Sequence, residues 1–413
     1  MSERSGAAPW WREVGAAPWR ALAAAGAGWM LDAMDVTLYV IALGSIREEF
    51  GLTNAQAGAV ASATLIASAV GGVASGVLSD RFGRVRMLTW SILTYSVFTA
   101  LTATSQSVAQ LVIWRLLVGL GMGGEWSAGA VLVAETWPAK HRGKAIGLMQ
   151  SGWALGYILA AVIGAVVLPR WGWRVLFLIG FAPALLTLWV RRHVPEPAVW
   201  REGGVAASRE AGGWASLLRA PLRSRVIVAT AMTASLLFSY WGLFTWVPKY
   251  LAGADHGGAG LGIVRSTAWI VAMQIGAFFG YTSFGFLADR FGRRPTFIAF
   301  VLGAAAIVPV YGASARSGTA LMILGPIVGF LGHGYFSVFG AMLAELFPSG
   351  VRGTAQGFCY NAGRAVSALA PWTIGWVADR QGFALALGCT SVCYVIGASL
   401  VLLLPETRGR EIA

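Results

Sequence analysis

The chain is 413 residues long, 57% hydrophobic and only 12% charged, with 54 glycines and a mean hydropathy of +0.66. A water-soluble fold of this length needs a far larger charged surface, so composition excludes a cytosolic enzyme, a nucleic-acid-binding protein and a disordered chain. The net charge of +13 would signal a polyanionic partner only if the basic residues gathered on one solvated module, and they are instead spread in short groups between apolar runs.

In chain order, apolar runs of spanning length fall at 20–44, 55–79, 87–106, 109–134, 145–168 and 174–191, then at 224–250, 263–288, 295–313, 318–344, 353–378 and 383–404. At about 34 residues per span with its loop, twelve spans consume the chain and leave no room for a large extramembrane domain. Ahead of them Trp10, Trp11 and Trp19 beside Arg4 and Arg12 read as an interfacial segment, with the first span as its own insertion signal. The stretch 192–222, rich in Arg, Gly and Pro, reads as a linker. Of 31 Lys and Arg, 22 fall in the termini and the alternate loops that share one side, seven in the opposite loops and two, Arg115 and Arg364, within spans. This positive-inside bias places both termini in the cytoplasm. The expected fold is an all-α membrane protein: a cytoplasmic segment at 1–19, a six-helix bundle at 20–191, the linker at 192–222, a second six-helix bundle at 223–404 and a cytoplasmic tail at 405–413. Cys359, Cys389 and Cys393 all lie in apolar spans, which argues against a disulfide framework or a metal site. Arginine usage far above lysine points to a GC-rich bacterial genome, and so to a multi-pass protein of a bacterial cytoplasmic (inner) membrane.

The chain also repeats itself. GVLSDRFGR at 76–84 recurs as GFLADRFGR at 285–293, an offset of 209. Glu135, Pro138, Arg142 and Gly143 recur as Glu345, Pro348, Arg352 and Gly353, and Pro195-Glu196 as Pro405-Glu406, each at an offset of 210. Parallel repeats of six spans, with the cargo site between them, describe a secondary transporter that works by rocking one half against the other. No phosphate-cradling loop is found, since GLGMGGE at 119–125 is intramembrane and lacks the lysine and hydroxyl of a nucleotide site. The driving force is therefore expected to be an ion gradient, with no cofactor beyond the proton, no nucleotide and no nucleic acid.

The GxxxDRxGRxR pattern of Gly76, Asp80, Arg81, Gly83, Arg84 and Arg86, duplicated in the second half, resembles the loop signature of the major facilitator superfamily. Glu135, Arg142, Glu345, Arg352 and the two Pro-Glu segments resemble the cytoplasmic charge network of its sugar-porter and metabolite-symporter branch. GMGGEWSAG at 121–129, residues 172–197 and Asp32-Ala-Met-Asp35 are similar to the sialate, lactate and aromatic-acid proton symporters. Drug exporters of the superfamily carry a Gly-Pro motif in the fifth helix, and GWALGYILAAVIG at 152–164 has no proline. The resemblance implies that helices 1, 4, 7 and 10 line a central cavity. It also implies gating roles for Asp80, Arg84, Glu135, Arg142, Asp289, Arg293, Glu345 and Arg352.

A charge at mid-bilayer depth costs at least about 2.5 to 3.5 kcal/mol, so each one calls for a reason. Asp32, Asp35 and Tyr39 share a face of the first helix by their spacing. Asp32, Asp35 and Glu125 make three acids against Arg115 and Arg364, and protonating one acid removes the excess charge. Asp32, Asp35, Glu125 and His333 are therefore the proton-coupling candidates. Arg364, whose planar fork suits a carboxylate, leads the substrate-binding candidates, with Arg115, Tyr39, Trp241, Tyr335 and Asn361. For Arg364 a fixed salt bridge to Asp32 or Asp35 is the structural alternative, and for the two aspartates a simple pairing with Arg115. The expected function is proton-coupled symport of a small organic acid through the lipid bilayer, a lactate- or pyruvate-like or aromatic monocarboxylate, by a monomer with no enzymatic activity. A sugar, polyol or sialic-acid carrier is the alternative.

Overall fold

The computed structural model describes residues 14–197, 217, 219, 222–347 and 352–406. The first part of the expected N-terminal segment, most of the 192–222 linker and the end of the tail lie outside the described residues. Among those described, the secondary structure is helical without strands. In order the helices are α1 (Ala16–Phe50), α2 (Asn54–Phe82), α3 (Arg84–Thr102), α4 (Val108–Thr136), α5 (Ala139–Ile179) and α6 (Pro183–His193). They continue as α7 (Leu222–Phe244), α8 (Val247–Ala252), a short 3-10 turn at Asp255–Gly257, α9 (Gly262–Phe291), α10 (Arg293–Ala313), α11 (Gly318–Gly334), α12 (Phe336–Glu345), α13 (Arg352–Ser367), α14 (Ala370–Gln381) and α15 (Phe383–Leu402). Among the described residues, eight helical segments are long and apolar enough to cross a membrane. Leu185, Leu188, Val264 and Phe286 are largely exposed on the outside of the bundle, where a water-soluble protein would carry charge.

Several apolar runs are not single straight helices. The fifth and sixth run into one another through α5, broken at Gly172 (φ 74°, ψ 178°). The seventh, tenth and eleventh each divide into two helices. Pro248 and Pro371 occupy the first turns of α8 and α14, where a missing N–H costs nothing and the preceding helix must end.

The repeated motif has a repeated geometry. Gly83 joins α2 to α3 at φ 109°, ψ 152°, and Gly292 joins α9 to α10 at φ 105°, ψ 153°, a region open to glycine and costly for other residues. The carboxylate of Glu196 accepts from the amides of Arg84 (2.8 Å), Val85 (3.1 Å) and Arg86 (3.0 Å) at the start of α3. Glu406 accepts from Arg293 (3.1 Å) and Arg294 (3.0 Å) at the start of α10. Each Pro-Glu segment thus caps a helix N-terminus, satisfying orphan amides and the helix dipole.

Close helix approach depends on missing side chains. A Cβ on Gly156 of α5 would collide with the Met30 carbonyl of α1, and one on Gly152 would come within 2.9 Å of the Gly26 carbonyl. Gly156→Leu is expected to force α1 and α5 apart at a cost of about 1 to 3 kcal/mol. A lowered unfolding temperature in detergent would register this, and an unchanged one would contradict it.

Candidate functional site

Two arginines lie deep in the bundle, and their surroundings differ. Arg115 (α4) places Nη1 3.6 Å from Oδ2 of Asp35 (α1), with both side chains essentially buried. Thr99 (α3) donates its hydroxyl to the other oxygen of Asp35. The Arg115 guanidinium also lies over the Tyr39 ring, 4.8 Å from its centroid, and the Tyr39 hydroxyl donates to the Ala57 carbonyl at 3.0 Å. Asp35, Arg115, Tyr39 and Thr99 thus form one packed cluster joining α1, α3 and α4.

Arg364 (α13) is 3% exposed and takes part in no ion pair among the described residues, while its Nε has no hydrogen-bond acceptor. Its guanidinium sits 5.7 Å from the centroid of Tyr360, and Tyr360 stacks on Trp126 of α4 at 4.4 Å and 17°. Trp126 in turn donates to Oε1 of Gln150 at 3.2 Å. Asp32 lies within the field of both arginines. Arg364 is the strongest attractive charge acting on it, ahead of Arg115, and Asp35 opposes both. Its Oδ1 is buried without a donor. The fixed salt bridge that would have explained Arg364 as scaffold is therefore not formed in this conformation.

Glu125 (α4) packs against Gly28 of α1. Tyr95 lies beside it without closing a hydrogen bond of normal geometry, and Asp32 repels it. Asn361 spends its amide N–H on the Gly357 carbonyl at 3.0 Å, and a Cβ on Gly72 of α2 would reach within 2.7 Å of its oxygen. His333 and Tyr335 sit elsewhere. The His333 Nδ1 meets the Gly329 carbonyl at 3.2 Å, and its ring is walled by Phe244, Tyr240 and Tyr281 at 4.1, 5.2 and 5.8 Å. Tyr335 packs against Phe336, Phe297 and Tyr394 at 4.5, 5.5 and 6.3 Å inside the second half. Neither is in described contact with Asp32 or Arg364.

Of the expected gating residues, Arg84 and Glu135 pair within the first half through two contacts of 3.1 and 3.3 Å. Arg293 places its backbone amide on Glu406. The side chains of Asp80, Arg142, Asp289, Glu345 and Arg352 lie outside the described residues.

The end of the bundle that the basic-residue bias assigns to the outside is clasped shut. Arg47 (α1) reaches Asp255 at 3.3 Å and the Asn54 oxygen at 2.5 Å, and Lys249 donates to Asp255 at 2.9 Å. Asp379 (α14) accepts from the Asn54 and Ala55 amides at the start of α2, at 3.2 and 2.9 Å. His256 lies 3.9 Å from Asp379 and 4.0 Å from Asp255. Deeper in, the Trp372 amide donates to Ser62 (3.3 Å) and the Tyr157 hydroxyl to the Phe244 carbonyl (3.1 Å). The sequence reading missed this clasp. Single charged residues in short loops carry no motif, and only the helix ends they meet reveal their use.

A helical bundle with an internal repeat, buried opposing charges between its halves and a clasp at one end is the body of a membrane transporter. Major Facilitator Superfamily is the family description that matches residues 26–283, and Sugar (and other) transporter matches 205–413. The chain belongs to the Major Facilitator Superfamily. It is 34% identical to the cis,cis-muconate transport protein of Acinetobacter baylyi, over 89% of both chains. It is 28% identical to a sialic acid transporter of Escherichia coli, over 96% of both. Its fold is similar to a crystal structure of a D-xylose-proton symporter, with a TM-score of 0.77 at 21% identity, covering 96% of this chain and 100% of the other.

Asp35→Ala is expected to lower stability by about 3 to 5 kcal/mol, because it leaves the Arg115 charge buried alone, and Asp35→Leu with Arg115→Leu to recover most of the loss. Thermal unfolding of the three proteins in detergent compares them, and a double variant no better than the single one would contradict the pairing. At the clasp, Asp379→Ala removes two charge-assisted hydrogen bonds and is expected to raise the rate of maleimide labelling at Ser62→Cys by roughly tenfold, in a background free of native cysteines. An unaltered rate would mean that Asp379 does not hold this end closed.

Proposed function

We propose that the protein is a proton-coupled symporter of a small organic anion, with a monocarboxylate as the expected cargo, working by alternating access in the cytoplasmic membrane of a bacterium. The proposed body has twelve spans in two six-helix bundles, at 20–191 and 223–404, with both termini in the cytoplasm. One observation carries the reading: among the described residues Arg364 is buried without a carboxylate partner, while Arg115, the other buried arginine, pairs with Asp35. A desolvated guanidinium with an open fork is a carboxylate receptor. Muconate, an organic anion, is what the Acinetobacter relative is named for, and the repeated glycine joints and Pro-Glu caps support two equivalent halves.

Proton coupling follows from charge balance. With the site empty, the charges of Arg364 and ionised Asp32 offset one another through the interior without an ion-pair contact. A cargo carboxylate on Arg364 takes away that counter-charge, and the site regains neutrality by taking up a proton on Asp32. Asp35 is held by Arg115 and Thr99, so Asp32 is the leading proton carrier and Asp35 keeps its partner in order. Release toward the cytoplasm, at higher pH, returns the proton and restores the empty pair. Transfer of one anion with one proton moves no net charge, so uptake should rise as external pH falls and respond little to membrane potential.

A carrier of a neutral sugar or polyol is the second reading. Gln274 of α9 favours it, since its side chain is buried with both amide atoms unpartnered, as a hydroxyl-rich cargo would require. Uptake of labelled acids and sugars into vesicles under an imposed pH gradient separates the two. Arg364→Gln is expected to abolish acid uptake in a protein that remains folded and monodisperse, and Asp32→Asn to abolish accumulation against a gradient while exchange continues. Normal acid uptake by Arg364→Gln would remove the anion site, and sugar uptake indifferent to Arg364 would establish the second reading.

A further inference from the structure

Trp29 of α1, Trp153 of α5 and Trp241 of α7 meet where the two halves of the repeat face each other. The Trp29 and Trp153 ring centroids are 4.6 Å apart, and Trp241 meets Trp153 edge-on at 6.2 Å. All three are buried, at 6%, 4% and 7% exposure, and none of their Nε1–H groups has an acceptor. An indole nitrogen can only donate, and a buried one ordinarily finds an oxygen. At several other positions in this protein that rule holds. Trp137, Trp173, Trp246 and Trp269 donate to Pro18, Glu49, Pro371 and Gly318 oxygens at 2.9, 2.7, 3.0 and 2.8 Å. Trp114 is a further unpaired indole, but it stacks on Phe98 and has no described contact with these rings. The Trp153 N–H leans toward the Tyr240 hydroxyl without closing a normal hydrogen bond.

The three donors adjoin the charged site. Trp29 is one helical turn from Asp32 on α1, and Trp153 is one turn from Gln150 on α5, which accepts from Trp126, the ring stacked on the Tyr360 that lies beside Arg364. We infer that Trp29, Trp153 and Trp241 form a neutral pole of the cargo site, which selects a flat unsaturated acid bearing an uncharged acceptor atom remote from its carboxylate. This inference rests on the organic-anion reading and adds the cargo's second recognition point. Arg364 takes the carboxylate end. The indole faces stack on a planar skeleton, and their N–H groups, which carry no net charge, seek a ring nitrogen, carbonyl or hydroxyl oxygen at the other end. A short aliphatic acid held at Arg364 would leave these donors unpaired, and a ring lacking the distal acceptor would satisfy only the stacking.

Nicotinate and benzoate provide the test, because they match in shape and differ by one ring nitrogen in place of a C–H. Uptake of each into vesicles under a pH gradient is measured for the native chain and for Trp29→Phe, Trp153→Phe and Trp241→Phe, which keep an aromatic ring and delete the N–H. The readout is the ratio of the two KM values within each protein, so differences in the amount of folded transporter cancel. The native chain is expected to favour nicotinate by roughly tenfold, the worth of one or two neutral hydrogen bonds. At least one phenylalanine variant is expected to lose most of that preference. Equal KM values in the native chain, or a ratio preserved in all three variants, would overturn the neutral pole while leaving the anion site standing. Failure of the native chain to take up either acid, with sugars transported instead, would remove the anion reading and this inference with it.

Discussion

The rest of the structure depends on the cost of keeping charge away from water. In a bundle whose outer faces are apolar, every buried carboxylate and guanidinium must meet an opposite charge, a hydrogen-bond donor or a molecule that brings one. Asp35 and Arg115 meet that demand with each other, with Thr99 and Tyr39 completing the cluster. Among the described residues, Arg364 meets it through the field of Asp32 and the face of Tyr360. One pair is closed and the other is open, and that difference turns a helical scaffold into a candidate binding site.

Position makes the open pair useful. Arg364 and Tyr360 belong to α13 in the second half, whereas Asp32, Trp126 and Trp153 belong to α1, α4 and α5 in the first. In the proposed transport cycle a ligand bridging them would touch both halves and so couple its binding to their relative movement. The clasp of Arg47, Asp255, Asp379 and the start of α2 closes one end of the same interface. It is built of partly exposed ion pairs and helix-end contacts, individually weak in water, which suits the opening and closing that the proposed alternating access requires.

The two halves reuse one piece of backbone chemistry. Gly83 and Gly292 turn the chain through nearly identical dihedral angles, and Glu196 and Glu406 cap the helices that follow. The charged site does not share this symmetry, since Arg364 corresponds to Ala154 at the 210-residue offset. Scaffold is duplicated and the buried arginine is not.

Hydropathy and the repeat were legible in the amino-acid order because both are local: an apolar run long enough to span lipid, a glycine needed at a positive φ, and a glutamate placed to cap a helix. The in-span charges were legible for the same reason, since their cost does not depend on which neighbour offsets it. Which acid pairs with which arginine was not legible. Asp32 and Asp35 stand on one helix face at nearly equal depth, and only the placement of α3 and α4 gave Asp35 to Arg115 and Thr99 and left Asp32 to Arg364. Packing also carried His333 and Tyr335 into the aromatic interior of the second half, because the facing of a side chain on an apolar helix depends on the crossing of its neighbours. Trp29 entered beside Trp153 in the same way. Composition and spacing thus determined that charge had to be buried, and tertiary contact decided which charge stayed without a partner.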